Sequence, residues 1–402
     1  MEEQGIFLVT RLPVRGQEQI VSAFYEQGQA VELSCQSPGA ASGSLLGNIY
    51  VGKVKNILSN INAAFIEIAD GTLCYYSLAE NETPFFTSPK KNKKLVPGDE
   101  LLVQVSREAV KTKAPTATSN LNFAGKYLVL TTGKKSLGIS TKLDKAERQR
   151  LREIAEPFLT ENFGIIIRTN AAGAGERELR EELVRLSALA CRILENGKNQ
   201  TCFSLVYREP PAYAAKIRNL PQNRLSRILT DDREIYRQLS AWLEENQPED
   251  LDKLQFYEET APSLNSFYGI AKALEDALKE RVWLKSGGYL VIQPTEALTV
   301  IDINTGKYQG HKKKEDTFLK INKEAAAETA RQLRLRNLSG IIIVDFIDME
   351  TAEAQKELME YLAFQLRQDP VKTTLVDMTA LGLVEITRQK RQKTLFEQVY
   401  SG

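Results

Sequence analysis

Three side chains in the last third of the chain have the types and spacing for divalent-metal chemistry: Asp302, Asn304 and Asp345. Asp302 interrupts the β-branched run 299-TVIDIN-304, which otherwise reads as a buried strand. A carboxylate placed there must be neutralised, hydrogen-bonded or given a metal. Side chains alternate along a strand, so Val300, Asp302 and Asn304 share one face and Ile301 and Ile303 the other. The run 340-GIIIVDF-346 repeats the pattern and reads as burying a second acid, Asp345, after four β-branched residues.

If the two strands pack into one sheet, Asp302 and Asp345 can meet near the same edge. Two carboxylates brought together repel, and a divalent cation relieves that repulsion while supplying chemistry. Oxygen ligands without thiolate or clustered imidazole suit Mg²⁺, with Mn²⁺ as an alternative, better than Zn²⁺. Asn304 can hydrogen-bond either Asp302 or a phosphate oxygen and so fix the ligand's orientation. A second reading of the same pattern stands beside the first: an acid in a strand that caps a turn, pairs with an arginine or lies on an exposed edge. Asp348 and Glu296 are further acids that can simply face solvent. The only histidine, His311, adjoins Lys312, Lys313 and Lys314 and reads as a surface residue, which leaves little scope for a histidine triad.

The elements that must position these groups follow from hydrophobic period and turn residues. Residues 289–304 form two apolar runs around Pro294-Thr295-Glu296, the pattern of a hairpin. A long helix over about 316–337, the strand from 340 and a helix over 351–368 follow. Upstream, 5–10 and 30–35 read as strands around a basic turn, and 36–47 is a small-residue loop suited to a domain boundary. Short strands from 48 to 108 have the cadence of a small β-barrel, with 89-PKKNKK-94 as a basic loop. Residues 126–132, 143–160, 164–169 and 175–195 make a further α/β unit, and 212–283 reads mostly as helices.

The composition is that of globular protein material: 402 residues, 42% hydrophobic and 26% charged, enough for two or three domains. A formal net charge of +1 excludes a chain that is basic all over, so a polyanion must be held by local clusters. Cys35, Cys74, Cys191 and Cys202 form no C-x-x-C pair, which points to free thiols in a reducing cytoplasm. No window approaches the ~20 apolar residues of a membrane span.

Residues 283–311, 328–349 and 379–391 closely resemble the ribonuclease E/G family of bacterial endoribonucleases, and the likeness runs through almost the whole chain. The resemblance implies an α+β multidomain fold. Its parts are an RNase H-like domain (1–37 and 208–281), an inserted OB-fold RNA-binding barrel (38–123), a 5′-sensor α/β region (124–207) and a DNase I-like catalytic domain (282–402). It implies that Asp302 and Asp345 bind the metal, that Asn304 orients, and that the reaction is Mg²⁺-dependent hydrolysis of single-stranded RNA, whether ribosomal precursors or messengers.

The family's RNA contacts in the barrel match Phe65, Tyr75 and Lys113. From sequence alone, Phe65 reads as a core residue and Tyr75 as ambiguous. The family's 5′-monophosphate pocket falls on Arg168 and Thr169, with the backbone around Val129 nearby. A further arginine of that pocket corresponds to Thr141, followed by Lys142, and another basic position to Lys372, which implies weaker end-sensing. The family's zinc-link cysteines have no counterpart after 385–402, so no zinc is expected in this chain and any homo-oligomer must form without that link.

Overall fold

The computed structural model of the chain describes residues 5–38, 45–90, 92, 94–109, 113–132, 135–160, 163–258, 262–306 and 314–400. His311 with Lys312 and Lys313, residues 39–44 of the small-residue loop, and Lys91 and Lys93 of the basic loop lie outside them. The chain divides into two compact units, one of residues 1–38, 223–238 and 252–402, the other of 39–222 and 239–251. The fold is mixed α/β, with several sheets and one closed barrel.

In the first unit, a five-stranded sheet carries the meander Gly5–Val14, Gln17–Glu26, Gln29–Gln36, flanked by the parallel strands Leu225–Thr230 and Leu254–Phe256. Sequence reading missed the middle strand of the meander. Its turns are Arg15-Gly16 and Gln27-Gly28, with φ positive at all four residues, the tight connection that matches strand twist. Leu225–Thr230 lies within the stretch read as helical. Its partner is the N-terminal strand, so its pairing has no local signature.

The same unit holds a six-stranded sheet in the order Arg281–Trp283, Tyr289–Pro294, Leu298–Asn304, Gly340–Asp345, Leu383–Arg388, Thr373–Met378. The hairpin expected over 289–304 is present, and its second strand runs parallel to Gly340–Asp345. Parallel neighbours require a crossover, supplied by the helix Lys314–Leu335. That helix and Ala352–Arg367 cover one face of the sheet, where Ile301, Ile303, Ile342, Val344, Val384 and Ile386 pack on Ile321, Ala325, Leu333, Leu358 and Leu362. Period-2 alternation then forces Asp302 and Asp345 onto the opposite, open face.

In the second unit, five strands close on themselves: Ile49–Leu58, Ala63–Glu67, Leu73–Ser77, Thr116–Thr118 and Glu100–Arg107, the last pairing back onto the first from Ile49↔Gln104 to Lys53↔Glu100. The barrel is OB-like, and Val54, Ala64, Ile66, Cys74, Tyr76, Leu101 and Val103 fill it. Beside it, Asn122–Ala124, Leu128–Thr132, Phe163–Ile167 and Leu137–Ile139 form a four-stranded sheet whose core is shared with the helices Lys145–Ala155 and Glu176–Lys198. Among the described residues, no helix is long and apolar enough to cross a membrane.

Candidate active site

Asp302 and Asp345 are direct register partners on neighbouring parallel strands. The strands of a sheet lie about 4.8 Å apart, so the two side chains leave the same face side by side. Both are exposed, which corrects the expectation of buried acids: the apolar neighbours belong to the other face. Asn304, two residues on, donates from Nδ2 to Asp302 Oδ2 at 2.6 Å. This bond fixes one carboxylate oxygen and leaves the other to a ligand.

The Asp345 carboxyl is pushed above the usual aspartate range, first by partial desolvation and then by the charges of Asp302 and Asp348. Among the described residues, no lysine or arginine lies within ion-pair distance of Asp302 or Asp345. Uncompensated like charge on hard oxygens is the condition that a divalent cation relieves, and the donor set fits Mg²⁺ or Mn²⁺. Among the described residues no group of three or more acids, histidines or cysteines gathers to cage an ion. The fit is therefore to a cation that keeps several waters and takes substrate phosphate oxygens as its remaining ligands.

Two features hold these strand ends. Asn322, buried in the crossover helix, donates to Ile347 O (2.7 Å) and accepts from Ile347 N (3.0 Å), which pins the chain just after Asp345. Gly306 has φ +58, and a Cβ there would collide with the Gly287 carbonyl, so only glycine lets the chain turn here after Asn304. Sequence reading missed Asn322. Its signal was an amide between Ile321 and the small residues Ala325 and Ala326 on the buried helix face.

In the second unit, Phe65 and Tyr75 are register partners on adjacent barrel strands, with ring centroids 6.3 Å apart and planes at 81°. Both are half-buried on the outside of the barrel, while Ile66, Cys74 and Tyr76 fill its interior. The core role read for Phe65 is thereby corrected. Lys113 is exposed.

Arg168 ends the strand Phe163–Ile167. Its Nη1 donates to Gly125 O at 2.6 Å and Nη2 to Asn219 Oδ1 at 2.5 Å, while its backbone N–H donates to Tyr127 O. Thr169 is exposed, its hydroxyl 2.8 Å from that of Ser140, and Val129 pairs with Ile166 on the next strand. Thr141 and Lys142 are exposed nearby in sequence. The carbonyls that hold Arg168 belong to a turn fixed from behind by a second residue that sequence reading missed. Glu182, buried in Glu176–Lys198, accepts N–H bonds from Lys126 (2.6 Å), Tyr127 (2.9 Å) and Leu128 (2.7 Å). Its sequence signal was a glutamate in the apolar stripe Leu179, Leu183, Leu186.

The model of the Ribonuclease E/G family matches residues 122–391, a span that includes the Arg168 strand end and both aspartates. The chain belongs to the ribonuclease E/G family. It is 36% identical over 366 residues to Ribonuclease G of Haemophilus influenzae, covering 88% of this chain and 74% of that protein. It is 34% identical over 362 residues to Ribonuclease G of Escherichia coli strain K12, covering 87% and 74%. Against Ribonuclease E of Nostoc sp. strain PCC 7120 it is 34% identical over 385 residues, covering 94% of this chain and 55% of the relative. The family match thus reaches well beyond any short motif, across the sheet that carries the acids.

Proposed function

We propose that this endoribonuclease of the ribonuclease E/G type hydrolyses single-stranded RNA with Mg²⁺, Mn²⁺ being the alternative, held between Asp302 and Asp345, and that it serves RNA processing or decay in the bacterial cytoplasm. The observation that carries the reading is the direct register of the two acids on an open sheet face, with Asn304 bonded to one of them. On this reading the six-stranded sheet with its helices is the DNase I-like nuclease region, the barrel is the OB-fold RNA module, and residues 1–37 with 208–281 are the RNase H-like part. Ribosomal precursors and messengers are the substrates it fits.

When bound, a divalent cation supplies Lewis-acid polarisation of the scissile phosphate and a more acidic water. Asp302 and Asp345 contribute the negative oxygens that hold such an ion. Asn304 keeps the Asp302 carboxylate in one rotamer and presents its own amide to the same face. Because this chemistry activates water, it does not require the ribose 2′-hydroxyl as nucleophile. Membership of the family implies 5′-phosphate and 3′-hydroxyl products, which attack by water with the 3′-oxygen as leaving group permits. The test is cleavage of one 5′-labelled sequence, as RNA and as DNA, with Mg²⁺ and with a chelator. RNA cut only with the metal supports the reading, and cleavage that persists in the chelator overturns it.

The outer face of the barrel supports stacking of RNA bases on Phe65 and Tyr75, with Lys113 supplying charge. Base–aromatic stacking contributes about 1–3 kcal/mol per base, so Phe65→Ala or Tyr75→Ala should weaken RNA binding about tenfold. Both rings lie outside the barrel core, and the variants should fold normally. Fluorescence anisotropy with a labelled RNA in chelator checks this, and unchanged affinity in both variants would remove the role.

We also infer that cleavage senses the RNA 5′ end through Arg168, Thr169 and the backbone at Val129. A monophosphate gives a guanidinium and a hydroxyl charge-assisted contacts that a 5′-hydroxyl does not. Such a bond contributes about 1.5–3 kcal/mol, so the monophosphate end should be cut at least about tenfold faster. With Thr141 where some relatives have arginine, the lower end of that range is expected. Single-turnover cleavage of matched substrates decides it. Arg168→Ala retaining the full preference would make this arginine a brace for Gly125 and Asn219 alone.

A further inference from the structure

The edge strand Arg281–Trp283 falls at the end of the stretch that reads as helical, and no role attaches to it from sequence. It pairs antiparallel with Tyr289–Pro294, which pairs in turn with Leu298–Asn304. Following the register across the sheet gives two rows. One runs Trp283, Tyr289, Asn304, and the other Arg281, Val291, Asp302, Asp345. Directly opposed residues project from one face, so Arg281, Trp283 and Tyr289 continue the open face that carries the acids.

These three side chains form a cluster of their own. The Trp283 and Tyr289 ring centroids are 5.2 Å apart, with planes tilted by 59°. The Arg281 guanidinium lies 4.5 Å from the Tyr289 centroid and 5.8 Å from that of Trp283. Trp283 is 64% exposed, and among the described residues no carboxylate lies within ion-pair distance of Arg281. A large aromatic held in water beside an uncompensated cation is a surface suited to an anion with a flat apolar face. The 59° tilt also means that neither ring covers the other.

We propose that Arg281, Trp283 and Tyr289 form a nucleobase-stacking subsite for a nucleotide adjoining the scissile phosphate of single-stranded RNA. The proposal rests on the reading of Asp302 and Asp345 as the cleavage site. Tyr289 is one strand spacing from Asn304 and Trp283 two, about 5 and 10 Å, so a base can lie over the rings while its phosphate is at the acids. Every base has a π-face, which makes such a platform tolerant of sequence, and the arginine adds attraction for the backbone. Its effect is to hold the strand in line with the carboxylates.

The test is single-turnover cleavage of a short RNA and of two versions with an abasic nucleotide on one or the other side of the cut, by wild type, Trp283→Ala and Trp283→Phe. Wild type should lose about tenfold on one abasic substrate. Trp283→Ala should lose as much on the intact RNA and nothing further on the abasic one, while Trp283→Phe keeps most of the rate. Independent losses that multiply, or an alanine variant as fast as wild type, would overturn the subsite.

Trp283 and Trp242 are the two tryptophans of the chain, so a Trp242→Phe background isolates Trp283 fluorescence. RNA added in chelator should quench it, and an unchanged signal counts against the subsite. If Trp283→Ala splits an oligomer in light scattering and leaves the abasic penalty intact, a second copy of the chain covers this face and the proposal fails. Failure of the underlying reading shows itself differently, as Asp302→Asn cleaving at the wild-type rate.

Discussion

Asp302→Asn and Asp345→Asn should each lower RNA cleavage by more than about 100-fold while RNA affinity stays near that of wild type. The size follows from what each carboxylate contributes. Groups that only orient a metal ligand typically matter 10–100-fold, and a ligand itself matters more. Asn304→Ala, which removes the 2.6 Å bond to Asp302 but no negative charge, should fall inside that smaller range. Affinity survives because both acids are exposed on a sheet face whose apolar packing is on the other side, and because the Phe65–Tyr75 pair belongs to the separate barrel. Rates at saturating Mg²⁺ and anisotropy in chelator measure the two quantities separately. Wild-type cleavage in either aspartate variant would refute the proposed metal site, and equal losses in all three variants would refute the division of roles.

The period-2 pattern of 299-TVIDIN-304 was enough to place Asp302 and Asn304 on one face, because alternation is a property of the strand itself. It did not tell which face was open. That depended on the helices Lys314–Leu335 and Ala352–Arg367 covering the isoleucines, and so the acids read as buried. Phe65 was misread for the same reason: barrel closure decides which side is interior, and closure is a pairing between Ile49–Leu58 and Glu100–Arg107 that no local pattern announces. Leu225–Thr230 went unread because its partner is at the other end of the chain. The Arg281–Trp283 platform required three strand registers in succession, each legible only once the sheet order was known.

The second large effect expected is on stability, at a pair whose members are far apart in sequence. Lys126 Nζ lies 2.6 Å from Asp250 Oδ2, both side chains are 1% exposed, the less buried Glu249 Oε1 lies 3.4 Å from the same ammonium, and Gln247 Nε2 also donates to Asp250. Two charges taken out of water are tolerable only together, and removal of one partner from a buried pair typically costs about 3–5 kcal/mol because the other is left uncompensated. Lys126→Met keeps much of the side-chain volume and should lower the stability of this unit by that amount. The double variant Lys126→Met, Asp250→Leu should recover part of it, since well-packed apolar replacements of buried pairs are often neutral and the remaining Glu249, 25% exposed, reaches water. Trp242 belongs to the same unit, so urea unfolding followed by fluorescence in a Trp283→Phe background reports the transition. On the proposed reading of Arg168, the consequence reaches 5′-end sensing. The backbone of Lys126 is held by Glu182, and the adjoining Gly125 carbonyl receives the Arg168 guanidinium. A Cβ at Gly125 would collide with the Glu182 carboxylate, so this turn has little room to shift. Loosening it by Lys126→Met should therefore also reduce the preference for a 5′-monophosphate while cleavage of 5′-hydroxyl RNA, measured below the unfolding range, stays close to wild type. A Lys126→Met protein as stable as wild type would show that the buried pair contributes nothing net, and an intact end preference in a destabilised protein would separate the turn from the pocket.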